Sequence, residues 1–321
     1  MNVRALYEEF PFPYQGNHGD LFAKYVAPAI GFEPASILDA GCGTGNLALD
    51  AAARFPRAEI TGVDFSEASL ERARTLAREA KVKNLVFERH DLMEPFPAGR
   101  AAGPHPFVMS VGCIHHTPDP VRCLHNLRGV VAEGGVFVLG VYGKHGRIET
   151  ELRRGLVDHV RQVTGKTNRE LLELYREVAA EPVLAQNRLR KVPPLTARYL
   201  VQRGLERVRA KLGPQRTPDA ASATDVGEAD QFLHPLVHNW TAKEWIGALE
   251  SAGFRLDRFV PDAAGNGWCI PDNPVERLQD PQLKALLRAM APRDLWEALD
   301  LFYRPVLHFI VCNAGPRIPA A

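Results

Sequence analysis

The residue types that carry chemistry crowd into one short stretch, residues 110–126, which reads SVGCIHHTPDPVRCLHN. Two adjacent histidines, His115 and His116, stand there beside two cysteines, an aspartate and a further histidine. Such a set could ligate a metal ion or serve in acid–base chemistry, because histidine titrates near neutral pH. The spacing does not match a tetrahedral metal site, so we predict no metal. One imidazole then either supports the turn or faces a reacting group.

Two further segments could contribute to the same site. Residues 230–240, DQFLHPLVHNW, contain His234 and His238 at the end of a long, weakly patterned region. They either approach the site from above or belong to a polar loop that enters the next helix. Near the N terminus, Tyr14 and Gln15 belong to an aromatic-rich segment that either covers the site and excludes water or packs on the surface.

The elements that must position these residues alternate between strand and helix from residue 35 to residue 142. Strands are predicted by short apolar runs at 36–40, 58–64, 85–91, 107–112 and 136–142, and two more at 254–260 and 306–312. Segments with helical spacing of apolar residues lie between them. Repeated β-α-β units of this kind predict a parallel sheet with helices on both faces.

Several helix boundaries are marked in the sequence. Ser66 is expected to cap the second helix, and Asp119-Pro120 to begin a helix that runs to Glu133 and stops at Gly134-Gly135. Thr241 and Glu244 form a capping box between two tryptophans.

The most informative motif lies where the first strand meets the first helix and runs from Asp39 to Gly45, DAGCGTG. Glycines there let the backbone approach a ligand, and a helix N terminus favours an anionic group. A dinucleotide fingerprint requires G-x-G-x-x-G, whereas the spacing here is G-x-G-x-G. Asp64 and Asp91 follow the next two strands, so they should converge with Asp39 in the crevice at the carboxyl ends of the strands.

This ordered series resembles the class I S-adenosylmethionine-dependent methyltransferases, whose first motif is similar to D-x-G-C-G-T-G. The resemblance covers about residues 35–142 and, more weakly, the last two strands. It implies an α/β, Rossmann-like fold with a seven-stranded, mostly parallel sheet in the order 3-2-1-4-5-7-6. The last strand would be antiparallel, and a helical insertion would follow strand 5.

The resemblance implies S-adenosyl-L-methionine as the cofactor and S-adenosyl-L-homocysteine as its product. The implied cofactor-binding residues are Asp39, Gly41, Cys42, Gly43, Thr44, Gly45, Asp64, Phe65, Asp91, Leu92 and Gly112, with Tyr14 and Gln15 from the N-terminal arm. The cofactor's chemistry agrees, since it carries two cationic centres and two hydroxyls for acids to bind, and no phosphate. Candidate catalytic residues on the acceptor side are, in falling order, His115, His116, His234 and His238.

Four regions are predicted along the chain. Residues 1–30 form an N-terminal helical and aromatic arm, residues 31–143 the cofactor-binding core, residues 144–230 a basic helical insertion that caps the substrate, and residues 231–321 the rest of the sheet. Residues 144–216 hold 17 Lys and Arg against 8 Asp and Glu, with dense pairs such as Arg153-Arg154, although the whole chain has a net charge of +1. The insertion either binds an acidic partner or presents a solvated helical face.

The sequence predicts a methyltransferase that acts on an O, N or C acceptor, most favourably on a small molecule. A peptide or protein side chain is second, and tRNA or rRNA third, because only the basic insertion supports it. An NAD-dependent oxidoreductase and a non-catalytic cofactor-binding scaffold are the alternatives from other classes. Five cysteines without a C-x-x-C pair, and an N-terminal segment without a long apolar run, predict a cytoplasmic protein with no membrane span. Nothing in the sequence predicts an oligomeric state.

Overall fold

A seven-stranded sheet is the centre of the computed structural model, which describes residues 6, 21–179, 233–262 and 268–315. The strand order is β3-β2-β1-β4-β5-β7-β6. The strands are β1 (Ser36–Ala40), β2 (Glu59–Asp64), β3 (Leu85–Arg89), β4 (His105–Val111), β5 (Val131–Tyr142), β6 (Phe254–Phe259) and β7 (Leu307–Ala314). β7 is antiparallel to both of its neighbours, and the other adjacent pairs are parallel. The predicted fold class is confirmed.

The helices connect the strands and cover the sheet. In chain order they are α1 (Asn46–Arg54), α2 (Glu67–Glu79), α3 (Pro120–Val130), α4 (Ile148–Thr164), α5 (Asn168–Ala179), α6 (Ala242–Ser251), α7 (Pro281–Arg288) and α8 (Pro292–Tyr303). Short helical segments precede β1 at Phe22–Ala29, follow β4 at Ile114–His116 and follow β5 at His145–Arg147. None of the helices within these described ranges combines the length and apolar composition that crossing a membrane requires.

Successive residues of the central strands point to opposite faces of the sheet, and each face has its own core. Ile37 of β1 packs in the cluster that includes α1 and α2, whereas Leu38 packs in the cluster that includes α3 and α6. Because helices cover both faces, the polar residues that follow the strands lie at one end of the sheet, at the carboxyl ends of the parallel strands. Folds of this kind bind ligands there.

The helix starts agree with the sequence. The Ser66 hydroxyl accepts a hydrogen bond from the Ser69 amide at 3.3 Å, and Asp119 accepts one from the Arg122 amide at 3.0 Å. The capping box is complete, with the Glu244 amide donating to Thr241 Oγ1 at 3.2 Å and the Thr241 amide donating to Glu244 Oε2 at 2.7 Å.

The boundary between α3 and β5 differs from the prediction. α3 ends at Val130 and β5 begins at Val131, so Gly134-Gly135 lies inside a strand rather than ending a helix. Val131 pairs with His105, and the register then shifts before Phe107 pairs with Val136. Gly134, at φ +70°, belongs to this irregular part of the ladder, where glycine tolerates a backbone that other residues avoid.

The described part of the predicted insertion, residues 144–179, consists of the short turn His145–Arg147 and of helices α4 and α5. Its remainder lies outside the described residues, as do Tyr14 and Gln15 of the N-terminal arm.

Candidate functional site

The glycine turn after β1 is fastened to β2 by its own amides. The N–H groups of Gly41 and Cys42 both donate to the Val63 carbonyl, at 2.8 and 2.9 Å. The Gly43 N–H donates to Asp64 Oδ2 at 2.9 Å, while the other oxygen of Asp64 accepts from the Ser66 N–H at 2.9 Å. These amides therefore shape the turn, and the N terminus of α1 is the part of the motif suited to an anionic group.

Two positions in this turn require glycine. Gly41 has φ +80° and Gly45 has φ +82°. A Cβ atom on Gly41 would lie 2.3 Å from Cys113 Sγ, and one on Gly45 would lie 2.6 Å from the Phe87 ring. Cys113 follows β4, so its thiol joins the turn after β4 directly to the turn after β1. Cys42 and Thr44, between the glycines, are buried.

Asp39 presents a buried carboxylate beside the turn. Its side chain is 1% exposed, and Oδ2 has no hydrogen-bond partner within the described ranges. Burial and, second, the charge of Asp64 raise the pKa of Asp39 to about 7, against a backbone hydrogen bond from Ala48 that lowers it. A buried oxygen without a donor fits a cationic ligand group such as an ammonium.

Asp64 ends β2 with both oxygens already hydrogen-bonded to backbone amides. Burial raises its pKa, hydrogen bonds from Ser66, Gly43 and Phe65 lower it, and Asp91 raises it again. Each carboxylate oxygen keeps a second lone pair, so Asp64 can still accept from a pair of ligand hydroxyls. Phe65, the next residue, is half-buried.

The other residues implied for the cofactor lie along the same edge. Asp91 is exposed, and its Oδ1 accepts from the Met93 amide at 3.0 Å, which makes it a turn-forming residue with one oxygen left for a ligand. Leu92 is buried, with Cδ1 3.9 Å from the Cβ position of Gly41. Gly112 has φ +74°, and its N–H donates to the Gly140 carbonyl at 2.9 Å.

On the acceptor side, His115 and His116 lie in the short helical turn after β4, two and three residues beyond Cys113. His115 is fully buried, and its ring centre lies 4.1 Å from those of both His116 and Tyr142. His116 stacks on His234 with ring centres 3.7 Å apart. These four rings form a continuous cluster, which we call the histidine stack; its three histidines are buried and Tyr142 is half-buried.

Residues 234–238 close the stack from a distant part of the sequence. Nδ1–H of His116 donates to the Leu236 carbonyl at 3.0 Å across 120 positions of sequence. The His238 amide donates to the His115 carbonyl at 2.8 Å, and His238 Nε2–H donates to the Thr117 carbonyl at 3.0 Å. The predicted approach of His234 and His238 to the histidine turn is therefore seen as contact.

The hydrogen bonds assign the tautomers of the stack. Because His116 donates from Nδ1, its Nε2 is the acceptor nitrogen in the neutral ring. The pKa of His116 is lowered to about 3, mainly by burial and also by the charges of Arg147 and Arg154, against the backbone hydrogen bond to Leu236 that raises it. Burial also holds the pKa of His115 well below its usual value, with help from His116 and Arg147. The near-neutral titration expected of a catalytic base is thus absent in the free protein.

Sequence reasoning missed Tyr142, Arg147 and the buried role of Arg154. The Arg147 guanidinium carbon lies 3.5 Å from the centre of the Tyr142 ring. Arg154, taken as half of a basic surface pair, is 9% exposed and donates to the His234 carbonyl at 2.9 Å and to Glu151 at 2.9 Å. Tyr142 could have been found, because it ends β5 at the ligand-binding edge.

Across the described ranges, no group of three or more His, Cys, Asp and Glu residues could hold a metal ion.

Part of the chain matches a known protein family. Residues 33–180 match a family described as methyltransferase domain. The chain is 28% identical to an uncharacterized protein of Synechococcus sp., over 81% of this chain and 61% of that protein. It is 35% identical to a ubiquinone biosynthesis O-methyltransferase of Alkalilimnicola ehrlichii, and 32% identical to a trans-aconitate 2-methyltransferase of Deinococcus radiodurans. Those matches cover 38% and 35% of this chain, and 47% and 39% of the relatives' own lengths.

Solved structures agree on the fold. PKMT2 from Rickettsia typhi in complex with AdoHcy superposes with a TM-score of 0.58 at 15% identity, over 89% of this chain and 50% of that one. A methyltransferase in complex with the Trm112 methyltransferase activator of Haloferax volcanii gives a TM-score of 0.50 at 13% identity, over 99% and 100% of the chains. Residues 33–180 thus carry a methyltransferase domain, and the strand order is the one expected of the class I S-adenosylmethionine-dependent methyltransferases.

The residues present fit the cofactor of this class, S-adenosylmethionine. Asp39 offers a buried acceptor without a donor for a cationic group, Asp64 has lone pairs for two hydroxyls, and the N terminus of α1 suits a carboxylate.

Proposed function

We propose that the protein transfers a methyl group from S-adenosylmethionine to an O or N atom, or less favourably a C atom, of a small molecule held against the histidine stack. The observation that carries this proposal is the contact between Cys113 and Gly41, since a Cβ on Gly41 would meet Cys113 Sγ at 2.3 Å. It fixes the histidine turn next to the glycine turn, so a cofactor on one and an acceptor on the other would be neighbours.

When bound, S-adenosylmethionine supplies a methyl group on a positively charged sulfur. The chain's own residues would bind the cofactor and orient it. Asp39 would take a cationic group of the cofactor, Asp64 its ribose hydroxyls, and Asp91 and Leu92 the adenine. Holding two reactants at attack distance and angle can supply most of the acceleration of such a displacement.

We propose that His115 and His116 position the acceptor rather than act as strong bases. Both rings are buried and neutral, with the acceptor nitrogen of His116 at Nε2. A base whose pKa is about 3 removes a tightly held proton poorly, whereas a neutral imidazole orients a hydroxyl or amine well. His234, stacked on His116, and His238, bonded to Thr117, would hold that geometry.

The burial of the three histidines of the stack supports a small acceptor. The name of one relative, trans-aconitate 2-methyltransferase, also refers to a small molecule. A peptide acceptor is the second candidate, because α4 exposes Ile148, Leu152 and Val163 along one face. We propose that residues 144–230 act as the substrate cap. We also propose a cytoplasmic location, because the five cysteines are unpaired.

Calorimetry with the full chain tests the cofactor. S-adenosylhomocysteine should bind, and NAD should not, because the turn lacks the third glycine of the dinucleotide fingerprint. Binding of NAD without binding of S-adenosylhomocysteine would contradict the proposal and favour an oxidoreductase.

Variants of the stack test the acceptor side. His115→Ala and His116→Ala should each leave affinity for S-adenosylhomocysteine near that of wild type. They should slow the transfer of labelled methyl groups to the small molecules of a cell extract by about 100-fold. The control is His125→Ala, on the exposed side of α3, which should leave both the cofactor affinity and the rate of methyl transfer unchanged. If the two stack variants lose cofactor affinity instead, the histidines are structural.

A further inference from the structure

Arg147 carries a charge that the described protein does not compensate. Its side chain is 4% exposed, and Nε and Nη2 are both buried without a hydrogen-bond partner. No carboxylate of the described ranges lies within ion-pair distance of it. One side of the guanidinium is covered by the Tyr142 ring at 3.5 Å. A buried, unpaired guanidinium is costly, so its surroundings are suited to a ligand that brings negative charge.

The two unpaired nitrogens of Arg147 form one edge of the guanidinium. Nε–H and one Nη2–H point the same way, at the spacing of the two oxygens of a carboxylate. Arg161 gives the contrast: its Nε and Nη2 are also unpaired, but its charge is met by Asp158 through Nη1 at 2.7 Å. Arg147 has no such partner, so its free edge is the better-matched anion site of the two.

Among the described side chains, His115 and His116 interact with the charge of Arg147, and neither is acidic. His115 is fully buried, and both of its ring nitrogens lack a partner within the described ranges. Arg154 is a second buried guanidinium near the stack, and it pairs with Glu151 through Oε2, which leaves Glu151 Oε1 as the nearby acidic oxygen without a hydrogen-bond partner in the described ranges. α4 begins at the residue after Arg147, so the positive end of the helix dipole lies on the same side.

We propose that Arg147 binds a carboxylate of the methyl acceptor, held edge-on by Nε and Nη2, while His115 contacts the part of the acceptor nearer the reacting atom. The inference rests on the proposed function and names its substrate class: small carboxylic acids. A carboxylate there would also offset the charge that depresses the histidines' affinity for protons.

The test measures binding of carboxylates to the full chain saturated with S-adenosylhomocysteine. The probes are benzoate, glutarate and malate, each compared with its uncharged amide, and inorganic phosphate. The variants are Arg147→Gln, Arg147→Lys and, as a matched control, Arg169→Gln, which removes the same charge from an exposed position of α5. Circular dichroism and affinity for S-adenosylhomocysteine report whether each variant is folded.

At least one carboxylate should bind wild type and Arg169→Gln at least tenfold more tightly than its amide. Arg147→Gln should lose that preference, and Arg147→Lys should keep part of it, because lysine retains the charge without the paired donors. An equal affinity for acid and amide in wild type would overturn the inference, as would full retention in Arg147→Gln or tighter binding of phosphate. If Arg147→Gln does not fold, unchanged carboxylate affinity in Arg147→Lys overturns it. Wild type that fails to bind S-adenosylhomocysteine contradicts the proposed function instead.

Discussion

The two halves of the candidate site are built in different ways. On the cofactor side, backbone amides and acids come from three consecutive strand ends, and Asp64 reaches the turn across 21 positions of sequence. On the acceptor side, aromatic and cationic side chains come from the turn after β4, the end of β5, α4 and residues 234–238, which meet across 120 positions. The first half depends on local backbone geometry, and the second depends on how distant segments pack.

The largest effect is expected at the contact that joins the two halves. Gly41→Ala places a Cβ 2.3 Å from Cys113 Sγ at a residue with φ +80°. We expect a loss of about 2 kcal/mol or more in the free energy of unfolding, and at least tenfold weaker binding of S-adenosylhomocysteine. Chemical denaturation and calorimetry measure the two quantities.

Gly129→Ala is the control for that substitution. Gly129 lies in α3 with nothing within 4 Å of its Cβ position, so alanine should stabilise the protein by about 0.5 kcal/mol. Equal behaviour of the two variants would show that the Gly41 contact does not couple the halves.

The next largest effect is the pH dependence of cofactor binding, which should distinguish the cofactor side from the acceptor side. Asp39, with its pKa raised to about 7, must lose a proton to bind a cation, so affinity for S-adenosylhomocysteine should weaken about tenfold between pH 8 and pH 6. His116, with a pKa of about 3, stays neutral over that range and adds nothing. Calorimetry in two buffers of different ionisation enthalpy detects the released proton.

Asp39→Asn should abolish this pH dependence and weaken cofactor binding. The folded pKa of Asp39 lies above the unfolded value, so its contribution to stability is full below about pH 3.8 and is lost as pH rises through 7. Without ligand at pH 8, Asp39→Asn should therefore melt at a higher temperature than wild type. A lower melting temperature would show that the carboxylate has a stabilising partner.

The smallest effects are expected from substitutions at two helix caps. Asp119 and Asp280 each precede a proline and cap a helix, accepting from the Arg122 and Leu283 amides at 3.0 and 2.7 Å. Asp119→Ala and Asp280→Ala should each cost about 1 kcal/mol of stability. Only Asp119→Ala, two residues from Thr117, should also slow methyl transfer by a few fold. Equal kinetics in both variants would show that the histidine turn does not depend on its neighbouring cap.

The fold could be predicted because its determinants are local. Apolar runs marked the strands, and residues such as Ser66, Asp119 and Thr241 marked helix starts through bonds to amides three positions away. The start of β5 was wrong, because a glycine pair can end a helix or form an irregularity in a strand. Pairing of Val131 with His105 decided between them, and that long-range contact has no local signature.

The acceptor side was predictable only in part for the same reason. His115 and His116 were found because they follow a strand end. Arg147 and Arg154 lie in a stretch whose composition suggested a solvated surface, and burial of a side chain is set by what packs over it. The depressed pKa of His116 likewise comes from desolvation and from Arg147 and Arg154, which no spacing in the sequence reveals.

The hydrogen bonds from residues 234–238 to the histidine turn bear on how relatives could diverge. His116 to Leu236 and His238 to His115 join the segments before and after the insertion, and Arg154 to His234 joins the insertion itself to the returning segment. An exchanged insertion would then have to carry its own returning segment to keep the stack intact. The insertion and its returning segment would then change together and set the acceptor preference. The glycine turn and its acids would stay the same.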